Sequence, residues 1–288
     1  MSSRYRLTAT AYEREDEAEK VSPLKMIFLS VEGNVTEKEY FVGVSKNRKT
    51  LGINAKIDIE VLKRSSKDTN SAPQHVIELL EEYIRLRELG NHMLDTELPT
   101  EIVENFGEDF IQGFIRNPEL LPKKKKNQFV TELMKIGYDI NYRKYLQKYN
   151  NEMDEFAILI DRDIYTHSEN NMEECIAYCI LKGYQCYIAN PCFELWLLLH
   201  LSDVIEEYKE CFDELYQNQK VSNQHTFVSK QVSNKANHGK SGINFSENYL
   251  PHVEEAIIRA KELATEEDLV NAIGCNLWKL MEGMMNFK

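Results

Sequence analysis

Long apolar runs, paired cysteines and a phosphate-binding glycine loop are all missing from this chain. The longest apolar run, Leu195 to Leu201 with one His inside it, falls far short of the roughly 20 residues that a helical bilayer span needs. The opening stretch, MSSRYRLTATAYEREDEAEK, has no apolar core of the kind a secretory signal carries, so a cytoplasmic location with no membrane partner is expected. The six cysteines, Cys175, Cys179, Cys186, Cys192, Cys211 and Cys275, form no CxxC pair. Cys175 and Cys179 stand four apart on a predicted helix, but no second Cys or His pair answers them, which points to buried packing. No GxxxxGK[ST] loop occurs, so the chain is not itself a P-loop ATPase.

The 288 residues present are ordinary for a folded protein, 42% hydrophobic and 28% charged, and their number suits one elaborated domain or two. The net charge of −12 is unevenly spread. Residues 121–149 carry eight Lys or Arg against two acids, and residues 220–240 carry four Lys and no acid, which leaves −22 for the rest. An acidic body with two basic segments fits a protein that meets a polyanion on one face; each segment alone is equally the pattern of a solvated helix face.

Residues 1–22 are polar and aperiodic and read as a flexible arm. Met26 to Val31 is nearly all apolar and ends at Glu32-Gly33, the pattern of a strand buried on both faces of a parallel sheet. Thr36 and Glu39 have the spacing of a capping box, opening a helix with Tyr40, Phe41 and Val44 on its apolar stripe. A second strand, Ala55 to Leu62, alternates apolar and charged residues and is expected to be more exposed. A helix then runs from near Pro73 to Gly90 through Val76, Leu80, Tyr83 and Ile84. This first part, 23–90, gives way to a helical insertion at 91–153, with the Lys123 to Lys126 run and a basic helix through Tyr142, Tyr145 and Tyr149. In the last part, 154–288, the strand Phe156 to Ile160 ends in Asp161-Arg162-Asp163. A helix from Ser168 to Leu181, a break at Gly183 and a strand from Gln185 to Ala189 follow. The next helix, Cys192 to Leu201, has Asn190 as its expected N-cap and Pro191 at its first position, with Trp196 and Leu197 to Leu199 as core. The remainder reads as helical apart from a polar, mobile loop region near Val221 to Asn248. Alternating strands and helices predict an α/β fold with a parallel sheet flanked by helices and a helical C-terminal part.

In such sheets, the loops at the carboxyl ends of the strands form the ligand site. Two of these ends are acidic here. Glu32 closes the first strand, and Asp161 and Asp163 close the third, both Asp side chains pointing one way by the period of two. Three converging carboxylates repel and raise one another's pKa unless a cation joins them. Mg²⁺, with its preference for few carboxylates, several waters and phosphate oxygens, is the natural occupant, and Mn²⁺ is an alternative. A solvated turn residue would explain Glu32 equally well, with Gly33 there for the backbone bend and Glu37 favoured by the helix N-terminus. Glu194 lies one place beyond a capping-box acid, so its charge needs a hydrogen bond near Asn190, a basic partner or a place behind the metal ligands. Arg162, Lys230, Lys235, His238 and Lys240 are the candidate phosphate contacts. The Tyr and Lys or Arg interleaving of the insertion suits either single-stranded nucleic acid or protein docking.

Four blocks in order, IFLSVEGNVTEKEYF, ILIDRDIY, ANPCFELWLLLH and NAIGCNLWKLMEGM, resemble the RloB-like (AbiLii-like) family, TOPRIM-domain proteins of abortive-infection and phage-defence systems. The resemblance implies a TOPRIM (Rossmann-like) fold in which Glu32, Asp161 and Asp163 share divalent metal. It places Glu37, the second acid of the EG-x-x-TE block, near them. It implies a Mg-dependent nuclease-like effector that hydrolyses phosphodiester bonds in RNA, tRNA included, or DNA by means of a metal-positioned water. It also implies a separate ATPase partner protein. The rival expectations are a non-catalytic metal- or nucleotide-binding regulatory subunit of an ATPase complex, and a nucleotidyl or phosphoryl transferase.

Overall fold

A computed structural model of the chain describes residues 23–33, 35–62, 72–89, 98–136, 138–147, 152–237, 242–265 and 268–288, apart from the side chains at 89, 141, 144 and 147. The expected arm at 1–22 and the stop at Gly90 lie outside the described residues. The described chain falls into two compact units. One holds residues of 23–61, 72–77 and 153–288; the other holds residue 62 and residues of 78–152.

In chain order, β1 (Lys25–Val31), α1 (Thr36–Lys46), β2 (Ile57–Leu62) and α2 (Pro73–Leu89) come first. Four helices follow: α3 (Thr100–Phe106), α4 (Glu108–Arg116), α5 (Lys123–Lys135) and α6 (Ile140–Gln147). Then come β3 (Glu155–Asp161), α7 (Glu169–Lys182), β4 (Gln185–Asn190) and α8 (Phe193–Leu201). The chain ends with α9 (Val204–Glu207), α10 (Phe212–Gln217), α11 (Phe227–Lys235), α12 (Val253–Glu262), β5 (Gly274–Cys275) and α13 (Leu277–Met285). The sheet order is β2-β1-β3-β4-β5. β1 with β3 and β3 with β4 are parallel, while β4 with β5 is antiparallel. The protein is thus α/β, a mostly parallel sheet flanked by helices.

The apolar runs that predicted β1 and β3 are buried, Met26 to Val31 in one and Ala157 to Ile160 in the other, because a parallel strand is covered on both faces. β2 is at the sheet edge, yet only Asp58 in it is half-buried and the rest is buried. The expected exposure fails because the second charged residue of the strand, Glu60, is itself buried, and Asp58 is held by Ser45 (2.9 Å) and Arg48 (3.4 Å) beside it. Ser168 caps α7 by accepting from Asn171 N–H (3.2 Å), and Gly183, at φ 74°, ends it. A left-handed residue there suits glycine.

Two helical expectations are corrected. The stretch near Val221 to Asn248 is not wholly a loop: α11 forms within it, capped by Thr226, with Val228 and Val232 buried. Two apolar residues one turn apart are enough to dock a helix whose other positions are polar. The C-terminal part also contains a strand, β5. It is only two residues long, but Asn276 extends the pairing by accepting from Ile188 N–H (2.7 Å) and donating to Cys186 O (3.1 Å). Around α8 the core closes on Tyr40, Phe193, Trp196, His200 and Phe245. His200 Nδ1 donates to Trp196 O (2.8 Å), so its Nε2 accepts from the Tyr40 hydroxyl (3.2 Å). Burial pushes its pKa down to about 3 and keeps it neutral.

In the other unit, Phe106, Phe110 and Phe114 surround Phe129 with ring centroids 5.0, 5.5 and 5.1 Å away. Tyr142 is buried, and so is Arg143, which pairs with Glu82 (3.3 Å) and lies 3.9 Å over the Tyr138 ring. The expected stacking platform is therefore core at Tyr142 and Arg143; Tyr149 lies outside the described residues. Of the lysine run, Lys125 donates to Phe106 O (3.1 Å) and Lys126 pairs with Glu119 (3.2 Å), while Lys123 and Lys124 are exposed. Among the described residues no helix is long and apolar enough to cross a membrane.

Phe129 is fully buried among three rings, so Phe129→Ala is expected to destabilise residues 78–152 by about 3–5 kcal/mol. Urea unfolding followed by hydrogen exchange should show protection lost there first, with β1, β3 and β4 holding.

Candidate functional site

The parallel register sets Val31 opposite Leu159, and Glu32, just past β1, meets Asp161, the last residue of β3, at the carboxyl ends of the strands. Glu32 Oε2 accepts from the backbone N–H of Asp161 (3.3 Å). Asp161 Oδ1 accepts from Phe193 N–H (2.9 Å), the first amide of α8. The expectation that Asn190 caps this helix is overturned. Asn190 is the last residue of β4, its side-chain amide donates to Leu269 O (2.8 Å), and Cys192 precedes α8. A carboxylate from another strand serves the free amide instead, which favours an anion at that end of the helix. The Asn190–Pro191 peptide is cis.

The capping box is corrected as well. Val35 occupies the N-cap of α1 and offers no side-chain bond, and Glu39 turns away to accept from Ile243 N–H (2.8 Å). The acid that bonds back across this turn is Glu37, whose Oε1 accepts from Gly33 N–H (2.9 Å). A Cβ on Gly33 would overlap the Glu37 carboxylate, so glycine after Glu32 lets the second acid approach the backbone.

Glu37 is buried and Glu32 and Glu194 are half-buried. Their charges act on one another. Burial, then Glu194 and Glu32, push Glu37 up to about 7. Burial, then Glu32, Glu37 and Glu194, hold Asp161 well above the ordinary carboxylate range, against the hydrogen bond from Phe193. Burial, then Glu194, lift Tyr249 to about 12, and burial, then Glu194 and Asp161, push the Cys192 thiol up. Among the described residues no Lys or Arg pairs with Glu32, Glu37, Asp161 or Glu194; His167, with Nε2 3.5 Å from Glu32 Oε1, is the cationic-capable neighbour.

Asp163 faces its own loop. Its Oδ1 accepts from Tyr165 N–H (3.0 Å), and its carbonyl accepts from Thr166 and His167 N–H (3.1 and 2.9 Å). Arg162 is no phosphate contact: it is buried and donates to Val270 O and His167 O, both at 2.6 Å. Lys235 pairs with Glu207 (2.5 Å), Lys230 is exposed, and His238 and Lys240 lie outside the described residues. Cys175 and Cys179 are buried as expected, and Cys186 of β4 joins their thiol hydrogen bonds. Among the described residues no three His, Cys, Asp or Glu side chains already stand as a metal-ligand set. The sequence pattern pointed to the strand-end acids; His167 had no pattern to mark it, because only the turn after Asp163 brings it back.

These features define an α/β protein with a cluster of acids where two parallel strands and two helices meet. A family model described as RloB-like protein matches residues 27–284, and the chain belongs to that family. No curated protein and no solved structure matches it.

Between the ordinary carboxylate value of 4.5 and about 7, folded Glu37 keeps a proton that the unfolded chain has released. Its contribution is therefore fully favourable below pH 4.5 and declines by about 3 kcal/mol as pH rises through 7. Melting temperatures from pH 4.5 to 8 should fall in the native chain and fall less in Glu37→Gln. Gly33→Ala should displace Glu37 and weaken this pH dependence in the same measurement; an unchanged slope would remove the assigned contact.

Proposed function

We propose that this chain is a TOPRIM-type, metal-dependent phosphodiesterase, the nuclease effector of a phage-defence system. The observation that supports it is the acid cluster. Glu32, Glu37, Asp161 and Glu194 are gathered at the carboxyl ends of β1 and β3 without a Lys or Arg among the described residues. Carboxylates kept together in this way disfavour ionisation until a cation joins them.

The donors fit a hard divalent ion. Mg²⁺ is commonly held by one or two carboxylates and keeps several waters for phosphate oxygens. Glu32 and Asp161 each have one oxygen on an amide and one off it, and these two residues would hold the ion. A bound Mg²⁺ or Mn²⁺ supplies charge stabilisation for a phosphodiester transition state. Glu37 and Glu194 set the charge around the two ligands, and the α8 N-terminus orients Asp161 through Phe193 N–H. Asp163 shapes the loop that follows; as a carboxylate two residues past Asp161 it is the next ligand to test. The substrate is RNA, tRNA included, or DNA, and a separate ATPase partner supplies the nucleotide-driven step for which this chain has no P-loop.

The test is cleavage of total RNA, tRNA and plasmid DNA by purified protein with Mg²⁺ or Mn²⁺, alone and with the co-encoded ATPase. Glu32→Gln and Asp161→Asn should each lower cleavage by about two orders of magnitude or more, with Asp163→Asn run beside them. Wild-type rates in both variants would sink the assignment, and metal binding without cleavage in the presence of the ATPase would favour a regulatory subunit.

A further inference from the structure

Two turns attach to neighbouring residues at the corner that opens α8. The Asp163 N–H donates to Pro191 O (3.1 Å), and the Asn218 side-chain amide donates to Cys192 Sγ (3.2 Å). The next residue, Phe193, carries the amide that orients Asp161. The turn after β3 and the turn between α10 and α11 therefore both border the acid cluster, and they touch each other where Gln219 Nε2 donates to the Tyr165 hydroxyl (3.0 Å).

Tyr165 is 61% exposed, and among the described residues no other aromatic side chain is exposed. An exposed ring forgoes the burial from which aromatic side chains gain most, yet this one is held in place. Its backbone N–H donates to Asp163 Oδ1 (3.0 Å), and its hydroxyl is fixed by Gln219. Gln219 is anchored in turn: its carbonyl accepts from Phe227 N–H (2.9 Å), and the adjacent Asn218 Oδ1 accepts from the N–H of buried Val228 (3.0 Å). A ring positioned in this way loses little freedom when a flat group stacks on it.

The second turn also opens the basic segment 220–240, with its four Lys and no acid. Lys220 follows Gln219 and is exposed, and its backbone pairs with Thr226, so a cation stands one residue from the contact with the ring. Aromatic rings that stack bases, combined with cations that follow the backbone, are the means by which proteins hold single-stranded nucleic acid. In a continuous duplex both faces of a base are covered by its neighbours, and freeing one costs a few kcal/mol.

We propose that Tyr165 is a stacking platform for an unpaired base of the substrate, with Lys220 drawing the strand to it, so that the chain acts on single strands or loops rather than on continuous duplex. This assignment rests on the phosphodiesterase reading above and narrows its substrate.

Fluorescence anisotropy with labelled single-stranded RNA and DNA and with the matching duplexes, Ca²⁺ replacing Mg²⁺ so that the strands stay whole, tests it. The wild-type chain should prefer single strands by about 10-fold or more. Tyr165→Ala should weaken single-strand binding about 5- to 100-fold, the loss of one stacked base, and leave duplex binding unchanged, with circular dichroism confirming the fold. Tyr165→Phe, which keeps the ring and loses the Gln219 bond, should retain the preference. A 2-aminopurine base in the strand should be quenched by the wild type and Tyr165→Phe and stay bright with Tyr165→Ala. Lys220→Gln should lower the slope of log affinity against log salt by about 0.7. No single-strand binding by the wild type, a preference for duplex, or undiminished affinity and quenching in folded Tyr165→Ala would overturn the platform and leave the cleavage test of Glu32→Gln and Asp161→Asn standing. Strands bound through Tyr165 but left uncut with Mg²⁺ and the ATPase would instead overturn the phosphodiesterase reading.

Discussion

The site depends on one pairing: β1 and β3 lie side by side in parallel, with their carboxyl ends level. That register brings the side chain after Val31 to the backbone of Asp161, so two acids 129 positions apart share one strand end. Parallel strands need long crossovers, and the sequence between these two supplies β2 and a run of helices before the chain returns. Everything chemical in the molecule is built around the charge that this return brings together.

The neighbouring elements manage that charge without a Lys or Arg partner among the described residues. α8 begins at Phe193, and its first amide bonds Asp161; the α1 turn bonds Glu37 through Gly33. Backbone N–H groups orient carboxylates but carry only partial charge, so burial and mutual repulsion still keep Glu37 and Asp161 above the ordinary range. Carboxylates held together in this way disfavour ionisation.

Legibility in the sequence followed burial. β1, β3, β4 and α8 were marked by apolar runs because strands and helices covered on every side need them. Glu32, Asp161 and Asp163 were marked because acids end two of those runs. Contacts that depend on distant partners had no such mark. Glu39 has the spacing of a cap but is drawn off by Ile243 N–H, and Asn190 has the chemistry of a cap but bonds Leu269 O. The Tyr and Lys or Arg interleaving around Tyr142 looked like a surface for nucleic acid or for protein docking, yet Tyr142 and Arg143 are buried, Arg143 against Tyr138 and Glu82. In each case local pattern specified what a side chain is able to do, and a partner far away in sequence determined what it does.

By itself the sequence determined the α/β class, the family blocks and the acids at two strand ends, because apolar periodicity and residue chemistry are local properties. Only the tertiary structure decided which acids stand together, that Asp163 serves its own loop, that Gly33 admits Glu37, and that His167 faces Glu32. The first and last of these rest on strand register and on contacts between segments more than a hundred residues apart, and the other two on turn hydrogen bonds that residue type alone does not mark.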